Sequence, residues 1–329
     1  MVNFTGISGP EGEFLAGAIE GLVIKAQSGF FTVKTSDDRL VVCQIPGRLK
    51  QEKQDTALVA AGDRVTIRIN ADGSGLIESI AERTSVLSRA RPAPDKRSIL
   101  SDQEQVLVAN PDQVILVFSI RQPRPSLRKL DRFLVVTEMN QLPTVICVNK
   151  VDLVEAGQAQ EVFALYEAIG YPVLYTSAKS GEGMDALRTL LQGKISVLAG
   201  SSGVGKSSLL NAIQPDLGLR VREVSQATEK GLHTTRHVEL VPLDMGGYVA
   251  DTPGIRALAL FDIEPDELDG YFREIAPLVA ECQFSDCTHR HEPRCAVRAA
   301  VADGRISAER YDSYLRLREE HEILEERAY

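Results

Sequence analysis

The sequence predicts a multidomain chain: a small N-terminal β-barrel, a central α/β domain on a parallel sheet, and a mainly α C-terminal segment around a Cys/His cluster. Three observations carry this. Short β-patterns punctuated by Gly, Asp and Asn fill the first quarter, apolar runs alternate with helical patterns in the middle, and three of five cysteines crowd beside a histidine near the end. At 329 residues the chain is long enough for two or three cores. The expected divisions are residues 1–90, 91–262 and 263–329.

The barrel strands are expected in "AGAIEGLVIKA", "GFFTVKT", "RLVVCQI", "GDRVTIRI" and "GLIESIAE", with turn signals between them and hardly any helical periodicity. A five-stranded barrel of this length fits the OB type, which commonly binds oligonucleotides on one face. A purely structural barrel fits the pattern equally well. A basic linker containing Pro92 and Pro94 follows.

From Gln105 the texture changes. "QVILVFSI" reads as a buried strand, "SLRKLDRFLVVTEMN" as a helix, "PTVICVN" as a strand, "EVFALYEAIG" as a helix and "PVLYTSA" as a strand. A helix at "MDALRTLL", a strand at "KISVLAG", a helix at "KSSLLNAI" and a strand ending in "GYVADTPG" complete the domain. Continuous apolar strands alternating with helices imply a parallel sheet covered on both faces. Beyond Glu264 the chain reads as helical outside the Cys/His cluster. Its tail places Tyr311, Tyr314, Leu315, Arg318 and Ile323 near helical spacing, as a surface helix packing back on the body.

Composition narrows the functional classes. A 43% hydrophobic and 25% charged content is ordinary for a globular protein. No run reaches the roughly 18 apolar residues of a membrane span, and "MVNFTGISGPEGEF" lacks the basic start and apolar centre of a secretory signal. A cytoplasmic monomer without membrane contact is the expectation. The net charge of −9 argues against a surface coated in nucleic acid. Two basic, proline-containing runs stand out locally: Arg83 to Arg97 and "RQPRPSLRK" from Arg121 to Lys129. Each alone reads as a solvated loop, and together they suggest local phosphate contacts and a positive face. Cys43 and Cys147 lie in strand-like runs and read as small buried hydrophobes.

The chemistry lies in four motifs. "GSSGVGKS" fills every fixed position of a phosphate-binding loop between a strand and a helix start. Gly200, Ser201, Ser202, Gly203, Val204 and Gly205 would let backbone N–H groups curl around phosphates, with Ser208 in the helix behind. Lys206 would reach the β- and γ-phosphates, and the Ser207 hydroxyl would ligate Mg²⁺. "DTPG" supplies Asp251 near Mg²⁺ and Gly254, whose N–H can sense a γ-phosphate. "NKVD" reads the base: Asp152 accepts two hydrogen bonds that only guanine offers, while Asn149, Lys150 and Val151 hold the loop. In "TSAKSGEG", Ser177, Ala178 and Lys179 match the loop that backs the base. A P-loop kinase or ATPase fails at "NKVD". The base reader precedes the phosphate loop, so the order is a circular permutation of the usual GTPase domain. Such rearrangement is tolerable where loops at one sheet edge build the site and chain termini lie close together.

The sequence resembles the circularly permuted bacterial GTPases that assist maturation of the small ribosomal subunit, the RsgA/YjeQ/YloQ type. The matching pieces are "IAERTSVLSR", "NPDQVILVFS", "VICVNKVDL", "TSAKSGEG", "GSSGVGKSSLLN", "HTTRHVEL", "DTPGIRAL" and "CQFSDCTHRHEPRCAVRAAVADGRIS", which span nearly the whole chain. The resemblance implies an N-terminal OB-fold, a permuted GTPase domain, a C-terminal zinc domain, and the small subunit with its rRNA as partner. Its activity would be GTP hydrolysis to GDP, stimulated by the subunit. A GTP-gated RNA-binding module, or a translation-factor-like regulator in which hydrolysis is secondary, is the competing reading.

Cys282, Cys287, His289 and Cys295 have C-x₄-C-x-H-x₅-C spacing, suited to one closed structural zinc. His291 is a spare ligand, ranked lower because the family's histidine follows the second cysteine by two positions. In the switch, "GLHTTRH" carries Arg236 where the family commonly has a third threonine; Thr234 and Thr235 remain to meet Mg²⁺ or the γ-phosphate. The position after Asp-x-x-Gly, where many GTPases place a water-orienting Gln, holds Ile255. Slow intrinsic turnover follows, with His233 as the residue expected to handle water; a plain surface role for His233 is the alternative.

Overall fold

The computed structural model describes residues 18–47, 59–91, 103–219, 238–251 and 264–328. Five strands open the chain: β1 (Ile19–Gln27), β2 (Phe30–Thr35), β3 (Leu40–Gln44), β4 (Arg64–Ile69) and β5 (Gly75–Ile80). β1 pairs with β2, β2 with β3, β3 parallel with β5, β5 with β4, and β4 returns to β1, which closes a barrel. Alternation drives the closure: "FFTVKT" turns Phe31, Val33 and Thr35 inward against Val23, Ile67 and Ile77. Cys43 is fully buried in that core, and Cys147 in the central domain.

The expected linker with Pro92 and Pro94 lies outside the described residues, and the strands that flank it pair with each other. β6 (Val86–Arg91) pairs antiparallel with β7 (Gln103–Ala109), an extra hairpin that straddles residue 90. Its β-pattern is short and polar on one side, and Pro92 and Pro94 immediately follow, so the local signal reads as linker. Arg83, counted in the first basic run, turns inward. It forks onto the buried carboxylate of Asp63 through two bonds of 2.8 Å. The barrel loop is docked on β7 by Ala109 N–H to the Ala61 carbonyl at 2.8 Å. A Cβ on Gly62 would stand 1.9 Å from the Ala109 carbonyl oxygen.

The central sheet runs β10 (Val173–Tyr175), β9 (Thr144–Asn149), β8 (Gln113–Ser119), β11 (Ile195–Ala199), β13 (Tyr248–Asp251) and β12 (Glu239–Pro242). The first five are parallel and β12 is antiparallel. β8 and β11 are buried throughout, the signature of a sheet covered on both faces. The covering helices are α1 (Leu127–Met139), α2 (Gln158–Ala168), α3 (Met184–Leu191) and α4 (Lys206–Ile213). At the sheet's edge β12 meets β1 of the barrel at Lys25 and Glu239, whose side chains pair at 2.9 Å; the two sheets are thus continuous.

The C-terminal part holds a 3-10 turn (Pro265–Tyr271), α5 (Ala276–Val279), α6 (Ala296–Ala302) and α7 (Ala308–Ala328). α7 packs back on the body along one face, as expected: Arg310, Ser313, Tyr314, Leu317, Arg318 and His321 are buried, while Arg316, Glu319 and Glu320 are exposed. Arg310 is 1% exposed and donates to Asp131 of α1 at 2.6 Å and to Glu274 at 2.5 Å. Tyr166 of α2 donates to the same Asp131 at 2.8 Å. Burial opposes the Arg310 charge, but the two carboxylates outweigh it and hold the guanidinium above its ordinary pKa. Ile323, expected on the packed face, is 40% exposed.

Candidate functional site

A parallel sheet places the loops that follow its strands at one edge, where helix N-termini also point. Here the loop after β9 carries "NKVD", the loop after β10 carries "TSAK", and the loop between β11 and α4 carries "GSSGVGKS". The structure joins these three stretches by direct bonds. Asn149, 1% exposed, donates from Nδ2 to the Val204 carbonyl at 2.9 Å. Its Oδ1 accepts from the Ala178 N–H at 3.4 Å and the Thr176 hydroxyl at 3.5 Å. Lys150, in the left-handed region at φ 65°, sends its ammonium to the Gly203 carbonyl at 2.7 Å and to the Gln122 carbonyl. Burial pulls the Lys150 ammonium pKa down, and the nearby Asp152 charge offsets part of that.

Asp152 is oriented from behind. Ser177, fully buried, donates its hydroxyl to Asp152 Oδ1 at 2.6 Å and accepts from the N–H groups of Lys179 at 3.2 Å and Ser180 at 3.0 Å. One hydroxyl therefore fixes both the carboxylate and the turn beneath it. A carboxylate held this way keeps an oxygen edge for paired N–H donors of a ligand.

In the phosphate loop, Lys206 spans the curl and donates to the carbonyls of Gly200 at 2.6 Å and Ser201 at 3.0 Å. Gly205 has φ 101°, and a Cβ there would meet Asn149 Nδ2 at 2.2 Å. The loop thus needs glycine both for its turn and for its contact with the base-reading side. Ser207 and Ser208 lie in the first turn of α4, whose N–H groups lack intrahelical partners. β13, which ends at Asp251, runs parallel to β11 with Val197 opposite Ala250, so the backbone of Asp251 reaches the same edge. A serine hydroxyl and a carboxylate are the hard oxygen ligands that Mg²⁺ takes beside phosphates. His233, Thr234, Thr235, Gly254 and Ile255 lie outside the described residues.

The second site is the Cys/His cluster. The donor atoms of Cys282, Cys287, His289 and Cys295 all lie within 4.8 Å of one another. Zinc–ligand bonds of about 2.3 Å to sulfur and 2.0 Å to nitrogen, set tetrahedrally, imply about 3.8 Å between sulfurs and 3.5 Å between sulfur and nitrogen. The observed separations are 3.9 Å for Cys282 to Cys295, 3.6 Å for Cys282 to His289 Nδ1, and 3.3 Å for His289 Nδ1 to Cys295. These three donors therefore match tetrahedral spacing, and Cys287 Sγ lies within 4.8 Å of each of them as the fourth. Burial pushes the Cys287 thiol up to about 12 and raises Cys295, so loading a metal there releases protons. His291 is exposed and outside the cluster.

The residues that local motifs do not reveal are the supporting ones. Asp269, in the 3-10 turn, contacts His289 Nε2 at 3.0 Å, which leaves Nδ1 for the metal. Tyr311 and Tyr314 of α7 donate to the carbonyls of His289 and Thr288, the latter at 3.2 Å. Beside "NKVD", the Gln122 carbonyl accepts from Lys150 and the Thr176 hydroxyl donates to Asn149 Oδ1 at 3.5 Å. Thr176 had a weak signal, as the neighbour of Ser177; Asp269 and Gln122 had none.

Comparison with known proteins agrees with this layout. The family model described as RsgA GTPase matches residues 80–261, and the RsgA N-terminal domain matches residues 20–77. The small ribosomal subunit biogenesis GTPase RsgA of Gemmatimonas aurantiaca is 44% identical over 302 residues, 91% of this chain and 96% of that protein. The protein of the same name from Bacteroides fragilis is 41% identical over 308 residues, 92% of this chain and 97% of that protein. The crystal structure of YjeQ from Thermotoga maritima superposes with a TM-score of 0.74 at 37% identity, covering 92% of this chain and 98% of that one. YloQ, described as a circularly permuted GTPase, gives 0.70 at 37% identity, covering 93% and 96%.

Proposed function

Because this chain belongs to the RsgA GTPase family, we propose that it is a subunit-stimulated GTP hydrolase acting as an assembly factor and checkpoint in late maturation of the small ribosomal subunit, whose rRNA it contacts. The observation that carries the nucleotide reading is the bonding of Asn149 to Val204 and of Lys150 to Gly203, which builds one site from two motifs in permuted order. Asp152 is the guanine-reading carboxylate, backed by Ser177, Ala178 and Lys179. Residues 200–208 hold the phosphates, and Lys206 turns its ammonium from the loop carbonyls towards them. Ser207 and Asp251 would hold Mg²⁺, which would supply positive charge beside the phosphates. Gly254, Thr234 and Thr235 respond to the γ-phosphate, and His233 positions the attacking water that Ile255 cannot.

In this reading residues 1–90 form the RNA-facing barrel, 91–262 the GTPase domain and 263–329 the zinc domain. Zinc is the cluster's ion: three sulfurs and an imidazole suit it, and the donor separations support it. Its role is structural, since all four positions are filled by protein. Monomeric behaviour and a cytoplasmic address complete the reading; no helix among the described residues is long and apolar enough to cross a membrane.

The test is GTP turnover with purified small subunits, large subunits and free RNA, with release from small subunits followed under GTP and a non-hydrolysable analogue. Stimulation by small subunits alone, and release only with hydrolysable GTP, is the expected result. Release with the analogue at the same rate would favour the GTP-gated RNA-binding reading.

A further inference from the structure

We infer that residues 120–126 and the first turn of α1 form an anion-binding surface for RNA backbone phosphates, mechanically attached to the guanine site. The inference rests on the small-subunit reading above. "RQPRPSLRK" puts Arg121, Arg124, Arg128 and Lys129 in nine residues without an acid, in a chain where 46 acidic residues outnumber 37 basic ones. Arg121, Arg124 and Lys129 are exposed, and among the described residues none pairs with a carboxylate. Exposed arginines elsewhere commonly have such a partner: Arg39 with Asp37, Arg305 with Asp303 and Arg316 with Asp312. Arg128 reaches Asp312 only at 4.0 Å, with both side chains at least half exposed, so solvent screening leaves that pair weak.

The placement is also electrostatically unfavourable for the helix itself. α1 carries no acid in its first turn, and Arg128 and Lys129 sit at the positive end of its dipole. An external anion reverses the sign of that contribution. Guanidinium forks match phosphate oxygens, and on a chain of net charge −9 a polyanion must dock where positive charge is concentrated.

The loop is anchored by three hydrogen bonds. The Ser119 hydroxyl donates to the Pro123 carbonyl at 2.7 Å, the Ile120 N–H donates to the Asn149 carbonyl at 3.0 Å, and Lys150 donates to the Gln122 carbonyl. Lys150 also holds Gly203 of the phosphate loop at 2.7 Å. The RNA-facing loop thus shares a lysine and a backbone bond with the residues that read guanine.

The experiment uses the full chain with Arg121→Glu and Arg124→Glu together, and Arg121→Gln with Arg124→Gln as a milder second variant. Affinity for a fluorescent GDP analogue in the free protein should stay within about two-fold, which also reports folding. Binding to purified small subunits, with a non-hydrolysable GTP analogue across a salt series, should weaken about ten-fold or more at low salt. The slope of log K against log salt should shrink by about 1 to 2. The same loss should occur on protein-free small-subunit rRNA. Unchanged binding and slope in both variants overturn the inference while the small-subunit reading stands. A loss seen on subunits but not on bare RNA assigns the loop to a ribosomal protein and also overturns it. If the unmodified protein binds neither, the small-subunit reading falls and takes this inference with it.

Discussion

The side-chain amide of Asn149 donates to the main-chain carbonyl of Val204 at 2.9 Å, and a Cβ on Gly205 would stand 2.2 Å from that amide nitrogen. The "NKVD" and "GSSGVGKS" loops, distant in sequence and in permuted order, therefore fit together as one buried contact. Leaving the Val204 carbonyl without its donor costs about 1–3 kcal/mol. Asn149→Ala should weaken GDP and GTP together by about ten-fold or more. Fluorescent-nucleotide titration checks this, and affinity within two-fold of the parent would remove Asn149 from the site.

Asp152 has its own signature. Asp152→Asn keeps the size of the side chain but replaces an acceptor oxygen with an amide donor. GTP affinity should fall on the order of 10- to 100-fold, and xanthosine triphosphate, with an oxygen in place of the amine, should become the better ligand. Competition between the two nucleotides reads this directly; retained preference for GTP would contradict the assignment.

Asp269→Asn should loosen the metal without removing a ligand. Loss of the carboxylate behind His289 Nε2 should lower zinc affinity by about 10- to 100-fold. Titration with a chromogenic chelator measures it, with one zinc per chain expected in the parent. Stripping the ion should lower the melting temperature, since from Cys282 to Cys295 only Cys287, His289 and Cys295 are buried, all of them metal donors.

Arg310→Ala should destabilise the junction between α1 and α7. It leaves the buried Asp131 and Glu274 carboxylates without their cation, a loss of about 3 kcal/mol or more. A lower melting temperature, with nucleotide affinity retained, is expected. An unchanged melting curve would mean that the carboxylates find other partners.

His233→Ala should leave nucleotide binding intact and reduce turnover on small subunits by about 10²-fold. Full subunit-stimulated turnover in the variant would exclude His233 from handling water.

Much of this protein was legible without coordinates. The five barrel strands, the helices at "MDALRTLL" and "KSSLLNAI", and the Cys282–Cys295 cluster all follow from spacing within a few turns of chain. Short-range geometry governs them, so the residue pattern states them directly. The β6–β7 hairpin was not legible, because its register is set by the partner strand and not by its own polar, proline-flanked sequence.

What the sequence determined by itself is the set of chemical groups present: the glycine-rich "GSSGVGKS", the carboxylate of "NKVD", and three sulfurs with an imidazole. What only the tertiary structure decided is which distant residues hold those groups still. Lys25 meeting Glu239, Asp269 behind His289, Arg310 between Asp131 and Glu274, and Lys150 between Gln122 and Gly203 are all long-range pairings. Each depends on how separate elements dock, and a docking angle leaves no periodicity in the chain, because the partner of a polar side chain is chosen by burial and reach.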